Sequence, residues 1–264
     1  MPEAPGAAAR LAAALAGLAL ALVGCSGGAA PGSHSQPAPV TSAAPSPTGA
    51  PPVAGARAVV YVAIGASDTV GVGAHHPSTQ AWPVVLRDTA LPGGDLVNLG
   101  VSGSTVRGAL QSQVPAAEAA DADVVTVWLA VNDLVAGVPV RAYERRLTRL
   151  VTRLRGDGHT EVLVGNVPRL WRLPAYRACR AAPADAPCAL QEVAGEAAVR
   201  ALVRDYNVAI RRVVRVAGAR LVDLSREVDL AGLVSDDGFH PSTKGHQRIA
   251  AAFAQRLPPP LSGR

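Results

Sequence analysis

The stretch VAIGASDTV, residues 62–70, indicates both the fold class and the place where chemistry could occur. Its apolar half belongs to a run, residues 59–64, of the kind that forms a strand buried on both faces of a sheet. The run ends abruptly, so Ser67 lies just beyond a strand end. Ligands bind at the carboxyl ends of strands in open parallel sheets, so this hydroxyl could face a substrate. Most serines in such turns only hydrogen-bond the local backbone, so a catalytic role for Ser67 needs support from the rest of the chain.

Four further apolar runs alternate with amphipathic stretches along the chain. The runs are residues 95–99, 124–131, 161–164 and 220–224. The stretches between them include three in which apolar residues recur at helical spacing, within residues 143–154, 199–217 and 242–257. This alternation predicts an α/β fold, a three-layer α/β/α sandwich around a mostly parallel sheet of about five strands.

The first 24 residues predict an export signal. Arg10 supplies a positive charge, and residues 11–23 form an uninterrupted apolar run that is shorter than the about 20 residues needed to span a bilayer. The run ends in Leu-Val-Gly-Cys, residues 22–25, which resembles the lipobox of bacterial lipoproteins, where the signal is cut before a cysteine that is then acylated. We therefore expect lipidation of Cys25 and anchoring to the extracytoplasmic face of the cell membrane. The alternative is an ordinary signal peptide whose cysteine has no role.

The segment after the signal predicts a tether. Residues 25–56 consist largely of Pro, Ser, Ala, Gly and Thr and cannot bury a core. The chain then divides into a lipoprotein signal peptide at residues 1–24, a disordered tether at residues 25–56 that begins with the lipidated cysteine, and one folded domain at residues 57–264.

Two more cysteines, Cys179 and Cys188, lie in a Pro- and Ala-rich stretch. Export makes a disulfide between them the default expectation. A loop of about ten residues would gain only about 2.7 kcal/mol from such a bridge, so it would fix a local loop rather than hold the fold. No other Cys or His nearby has the spacing of a zinc site, and we expect no metal.

The charge pattern argues against a nucleic-acid partner. The net charge is +5, but the arginines are spread along helical stretches instead of being grouped with aromatic residues. Aromatic residues make up only 3% of the chain, which also disfavours an extended sugar-stacking cleft.

Other strand ends carry polar groups that could meet Ser67. The second run leads into Asn-Leu-Gly-Val-Ser-Gly, residues 98–103, where Gly100 permits a tight turn with exposed N–H groups. The third run is followed at once by Asn132, a residue type that more often caps a turn than takes part in chemistry. The fourth leads to Trp171 and the cysteine-containing loop.

An acid and a histidine lie three residues apart before the last helical stretch, in Asp-Asp-Gly-Phe-His-Pro, residues 236–241. A serine nucleophile needs a base within hydrogen-bond reach, and the base needs an acid on its other nitrogen. His240 is the best-placed base among the six histidines. Asp237 and Asp236 both stay open as the acid.

The order of these motifs resembles that of a known family, the SGNH or GDSL-type hydrolases. Its four blocks are matched, in sequence order, by Ser67, Gly100, Asn132 and His240. The resemblance covers nearly all of residues 58–257, and the Asp-Gly-Phe-His-Pro block is its most specific part. The chain departs from the family pattern at two positions. Ala66 replaces the usual Asp before the serine, and Ala130 replaces the first Gly of the Gly-x-Asn-Asp block, but neither change removes a catalytic group.

The resemblance implies a flavodoxin-like sheet and an esterase or lipase that forms an acyl-enzyme without a cofactor. By this resemblance Ser67 is the nucleophile, His240 the base and Asp237 the orienting acid. It also places the oxyanion between the N–H groups of Ser67 and Gly100 and the amide of Asn132. We expect a monomer that acts on a small-molecule, lipid or glycan ester, with Trp171 in one wall of the cleft.

Two alternatives stay open at this point. One is a deacetylase of cell-wall or other carbohydrate acetyl esters, which differs only in substrate. The other is an anchored binding protein that has the same fold but no turnover.

Overall fold

The five apolar runs form one parallel sheet. The computed structural model describes residues 57–181 and 195–258. Its strands are β1 (Val60–Gly65), β2 (Asp95–Asn98), β3 (Val124–Trp128), β4 (Glu161–Gly165) and β5 (Arg220–Val222). They lie in the order β2-β1-β3-β4-β5, and every neighbouring pair is parallel. This is the doubly wound order of flavodoxin-like proteins, so the predicted fold class is confirmed.

Helices connect the strands and cover both faces of the sheet. The first five in the described residues are α1 (Ser67–Val70), α2 (Pro77–Gln80), α3 (Trp82–Ala90), α4 (Val106–Gln111) and α5 (Gln113–Ala119). The next six are α6 (Val131–Val135), α7 (Val140–Arg155), α8 (Pro174–Ala181), α9 (Glu196–Val216), α10 (Leu224–Glu227) and α11 (Thr243–Ala254). Short 3₁₀ turns lie at Leu170–Arg172 and Leu230–Gly232.

The apolar faces predicted for the long helices form the core. Helix α7 buries the residues Tyr143, Leu147, Leu150, Val151 and Leu154. It packs against α9, where the ring of Tyr206 lies 4.6 Å from that of Tyr143. Helices α3 and α11 form a second pair, in which Trp82 stacks on Phe253 at a ring separation of 4.5 Å. Ring contacts of this kind add to the stabilisation that comes from removing the apolar helix faces from water.

The third strand is shorter than its apolar run. Residues 124–131 are apolar enough for one strand, yet β3 ends at Trp128 and a helix starts at Val131. The reason is the partner strand: Gly65 is the last residue of β1 and pairs with Trp128, so the ladder has no further residue to use. Asn132 therefore lies in the first turn of α6, not directly after a strand.

Several sequence predictions concern residues outside the described ranges. The signal, the tether and Cys25 lie within residues 1–56, and Cys188 lies within 182–194. Cys179 lies in α8, but because Cys188 is outside the described ranges, the disulfide between them stays a prediction. Within the described ranges, no helix combines the length and the apolar character needed to cross a bilayer.

His246 is a buried polar residue that ties three segments together. Its side chain in α11 is fully buried, Nδ1 accepts the N–H of Trp82 at 3.2 Å, and Nε2 donates to the carbonyl of Val72 at 3.1 Å. These two bonds require the neutral ring. Burial lowers the pKa of His246, the bond to Val72 opposes that effect and nearby His240 adds to it. The final helix is thereby joined to the start of α3 and to the segment that follows α1.

The lowered pKa of His246 makes its contribution to stability depend on pH. Unfolded chains protonate a histidine near pH 6.5, whereas the folded protein resists protonation until a lower pH. Between the folded pKa and the unfolded pKa, the unfolded state therefore binds more protons than the folded state. The free energy of unfolding falls as pH drops below about 6.5.

We predict that the stability advantage of wild type over His246→Gln is largest near about pH 8 and smaller near about pH 5. Urea unfolding of both proteins at each pH measures it, and the comparison cancels the titration of other groups. An advantage that does not change with pH, or that grows toward acid, would contradict the assigned neutral ring.

Candidate active site

The turn that presents Ser67 begins at a position with no space for a side chain. Strand β1 ends at Gly65, and Ser67 is already the first residue of α1. A Cβ on Gly65 would lie 1.9 Å from Oγ1 of Thr69, so only glycine fits there. The N–H groups of Thr69 and Val70 both donate to the carbonyl of Ala66. The nucleophile candidate is thus held half-buried at the carboxyl edge of a central strand.

His240 reaches Ser67 from the far end of the chain. Its Nε2 lies 3.0 Å from Oγ of Ser67, and its Nδ1 lies 2.5 Å from Oδ2 of Asp237. The three side chains therefore form one continuous chain of hydrogen bonds in which a base contacts the hydroxyl and an acid contacts the base. This is the arrangement that activates a serine as a nucleophile.

Asp237, and not Asp236, is the acid that contacts His240. Its Oδ1 accepts hydrogen bonds from the hydroxyl of Ser235 and from the N–H groups of Phe239 and His240. Burial alone would raise the pKa of Asp237, but the bonds from His240, the two N–H groups and Ser235 outweigh it, and the net pKa is lowered. The carboxylate stays ionised at neutral pH, as the orientation of an imidazole requires.

Gly73 allows the segment after α1 to pack against the loop that carries His240, residues 235–241, here called the histidine loop. Its φ is +92°, and a Cβ there would lie 2.3 Å from the carbonyl oxygen of Pro241 and 3.1 Å from Cβ of His240. A larger residue would be strained and would push the loop away. The backbone of Ser235 closes the loop by donating to the carbonyl of His240 at 2.8 Å.

Asn132 lies in α6 with its amide fixed by the loop after β2. Nδ2 donates to the carbonyl of Ser104 at 3.0 Å, which uses one of the two amide hydrogens. The next residue, Asp133, is fully buried and accepts the N–H of Val106 at 2.8 Å. Burial raises the pKa of Asp133 to about 6. Sequence reasoning missed Asp133, although its place directly after Asn132 could have drawn attention to it.

Gly100 does not offer the N–H group that was expected of it. That N–H donates to Oδ1 of Asn98 at 3.0 Å, and Nδ2 of Asn98 in turn donates to the carbonyl of Thr69 at 2.8 Å. The expected oxyanion donor is therefore already bonded to a side chain. Gly100 instead permits close approach, because a Cβ there would lie 2.9 Å from the N of Val70.

The same loop has other N–H groups to offer. Within the described residues, the N–H groups of Ser102 and Gly103 make no hydrogen bond. Gly103 has a φ of +77° and directly precedes Ser104, whose carbonyl holds the amide of Asn132. A positive φ of this kind is readily adopted only by glycine. The unpaired N–H of Gly103 therefore lies in the segment that also orients Asn132.

Asp68 adds a second acid next to the nucleophile, and sequence reasoning did not single it out. Partial burial raises the pKa of Asp68 to about 6, a change that His240 opposes and Asp237 reinforces. Asp68 therefore interacts electrostatically with His240, although the carboxylate that bonds to the ring is that of Asp237.

Trp171 lies in the 3₁₀ turn Leu170–Arg172 and is half-buried. The guanidinium of Arg200 lies over its ring, 5.0 Å from the ring centre. The same segment reaches the histidine loop a few residues later, where the N–H of Ala175 donates to the carbonyl of Gly238 at 3.1 Å. A role of Trp171 in substrate binding stays a prediction.

Comparison with known proteins supplies a family match. The profile of the GDSL-like Lipase/Acylhydrolase family matches residues 63–248, which include every candidate side chain between Ser67 and His240. No curated protein matches the sequence.

Solved structures with a similar fold include several hydrolases. A lipase/acylhydrolase from Enterococcus faecalis is 15% identical with a TM-score of 0.58, over 75% of this chain and 94% of that one. A family 3 carbohydrate esterase from Clostridium thermocellum is 18% identical with a TM-score of 0.54, over 75% and 94%. A phospholipase A1 from Streptomyces albidoflavus is 17% identical with a TM-score of 0.54, over 76% and 100%. Identities this low show a shared fold alone.

The geometry predicts which acid controls the reactivity of Ser67. Asp237→Asn removes the charge that orients His240 and should slow covalent labelling of Ser67 by a fluorophosphonate by roughly 10²- to 10⁴-fold. Asp236→Asn is the matched control, one residue away, and should label at the wild-type rate. Labelling rates read by intact mass spectrometry decide between them, and equal rates for the two variants would contradict the assignment.

Proposed function

The chain belongs to the GDSL-like Lipase/Acylhydrolase family, and from that premise we propose that it hydrolyses carboxylic esters with Ser67 as its nucleophile. The observation that carries the proposal is the unbroken contact from Asp237 through His240 to Oγ of Ser67. A retained binding scaffold without turnover would have no need of this arrangement, which favours an enzyme over the non-catalytic alternative.

The reaction proceeds in two steps. Oγ of Ser67 attacks the ester carbonyl while Nε2 of His240 takes its proton, and the same nitrogen then protonates the leaving alcohol. Water, deprotonated by His240, next attacks the acyl-enzyme and releases the acid. Asp237 stays ionised throughout and stabilises the imidazolium, in keeping with its lowered pKa.

Three donors are proposed to hold the oxyanion. The first is the N–H of Ser67 at the start of α1, and the second is the amide hydrogen of Asn132 that Ser104 leaves unused. For the third we assign the N–H of Gly103 in place of that of Gly100, because Asn98 already accepts the latter. Loss of one such donor typically lowers kcat about 10²- to 10³-fold.

The substrate is proposed to be an acyl ester of a small alcohol or a lipid. Val70 and Val101 support this choice, since they are among the few large apolar side chains that are exposed, at 40% and 52%. Both adjoin the site, Val70 in the helix of Ser67 and Val101 through its N–H bond to the carbonyl of Gly65. A carbohydrate acetyl ester is the second candidate, favoured by the fold shared with a carbohydrate esterase.

We also propose that the enzyme works outside the cytoplasm, held at the membrane through Cys25. Support comes from the sequence of residues 10–25 alone, in which a charged start and an apolar run lead to a lipobox-like tetrapeptide. Two or more acyl chains on that cysteine would give stable anchoring, whereas one would be marginal.

Ser67→Ala is expected to abolish hydrolysis of p-nitrophenyl esters, because no other group can form the acyl-enzyme, while the far-ultraviolet circular dichroism stays unchanged. Initial rates on acetate to decanoate esters and acetate release from acetylated xylan, each with Ser67→Ala as the blank, measure activity and substrate class together. Wild-type rates in the variant would overturn the proposal, and acetate release from xylan alone would select the carbohydrate alternative.

Cys25→Ser should move the full-length protein from the membrane fraction to the soluble fraction of an expressing bacterium, because the site of acylation is gone. Labelling with an alkyne fatty acid, detected in wild type and absent in the variant, gives a second measurement. A variant that still labels and sediments with membranes would contradict anchoring through Cys25.

A further inference from the structure

Gln113 is a buried amide that bonds to both backbone groups of Gly65, at the start of the turn that presents Ser67, residues 65–67, here called the nucleophile turn. It is the first residue of α5 and is 2% exposed. Its Oε1 accepts the N–H of Gly65 at 2.9 Å, and its Nε2 donates to the carbonyl of Gly65 at 3.1 Å. Strand β2 ends at Asn98, which pairs with Ala63, so no strand residue lies beside Gly65 on that edge. Gln113 thus supplies the acceptor for the N–H of Gly65, the residue two positions before Ser67, and shares the carbonyl of Gly65 with the N–H of Val101.

The same amide also reaches the loop that orients Asn132. Nε2 of Gln113 donates a second hydrogen bond, 2.9 Å long, to Oγ of Ser104. The carbonyl of Ser104 accepts from the amide of Asn132, and Gly103 is the residue before it. Both hydrogens of Nε2 are therefore used, one toward the nucleophile turn and one toward the loop after β2, residues 99–104, here called the oxyanion loop.

Building on the proposed function, we infer that Gln113 is a positioning residue for the oxyanion hole. It contacts neither the reacting serine nor a substrate atom. It fixes the distance between the segment that carries the N–H of Ser67 and the segment that carries Gly103 and holds Asn132. Donors that are held in place before the reaction stabilise the developing charge without having to reorganise.

A purely structural role is the competing explanation, because a buried amide with three bonds stabilises any fold. The two explanations differ in what they predict for catalysis. A structural role lowers the stability of the folded protein and leaves the turnover of the folded fraction unchanged. A positioning role lowers kcat of fully folded enzyme, since displacements well under the size of an atom weaken transition-state contacts.

The chain offers a matched control in Asn207. This residue of α9 is 4% exposed, and its amide accepts the N–H and donates to the carbonyl of Val167, both at 2.9 Å. Like Gln113, it bonds to both the N–H and the carbonyl of one backbone residue, but this residue lies just after β4, whereas Gly65 is the last residue of β1. A substitution there tests the cost of losing such an amide without touching the nucleophile turn or the oxyanion loop.

The experiment compares Gln113→Met with Asn207→Leu, which retain approximate side-chain size and lose the hydrogen bonds. Both are assayed with p-nitrophenyl acetate well below their melting temperatures, where each is fully folded. Gln113→Met should lower kcat roughly 10- to 100-fold with KM changed less than about twofold, and should weaken inhibition by butylboronic acid, which forms a tetrahedral adduct on serine, by a similar factor. Asn207→Leu should lower the melting temperature and leave kcat near that of wild type.

A double variant tests the proposed route through Asn132. If Gln113 acts by holding the oxyanion donors, then adding Gln113→Met to Asn132→Ala should cost clearly less in kcat than it does in wild type. Wild-type kcat and boronic acid affinity in folded Gln113→Met would overturn the inference while leaving the proposed function intact. An equal fall of kcat in Asn207→Leu would also overturn it. Absence of esterase activity in wild type would instead overturn the proposed function.

Discussion

The hydrogen bond between Nε2 of His240 and Oγ of Ser67 is the contact on which the site depends, and it joins residues 173 positions apart. No local sequence preference can produce it. It exists because β1 ends just before Ser67 at the carboxyl edge of the parallel sheet and because α11 packs back onto α3, which carries the histidine loop to the same edge. Gly73, where a Cβ would lie 2.3 Å from the carbonyl oxygen of Pro241, lets the segment after α1 approach the histidine loop closely enough for this contact.

The buried polar groups around the site form bonds that fix its parts in one arrangement. His246 ties the last helix to the segment after the nucleophile, Asp133 holds the start of α4, and Gln113 joins the nucleophile turn to the oxyanion loop. Buried groups of this kind are costly unless they are paired, so each removes alternative packings. The proposed stabilisation of an oxyanion needs donors that are fixed before the reaction, and these bonds hold the segments that carry the proposed donors.

Much of the fold and of the candidate site could be predicted from the sequence, and the predictions that failed did so for physical reasons. Largely apolar runs predicted all five strands. The inner strands β1, β3 and β4 are almost fully buried and cannot be polar, whereas the edge strands β2 and β5 are partly exposed. The predicted end of β3 was wrong, because that end depends on where the neighbouring strand β1 stops. Ser67, Asn132 and His240 followed from motif order, and the structure resolved the choice of acid in favour of Asp237 by contact. The N–H of Gly100 could not be judged from sequence, because its partner is a side-chain oxygen two residues away.

The most direct test of the central claim is a crystal structure of the chain after reaction with p-nitrophenyl ethylphosphonate. We predict phosphorus bonded to Oγ of Ser67, with the phosphoryl oxygen within hydrogen-bond distance of Nδ2 of Asn132 and of the N–H of Gly103, and with His240 still bonded to Asp237. A phosphoryl oxygen that contacts neither donor, or an adduct on any residue other than Ser67, would contradict it.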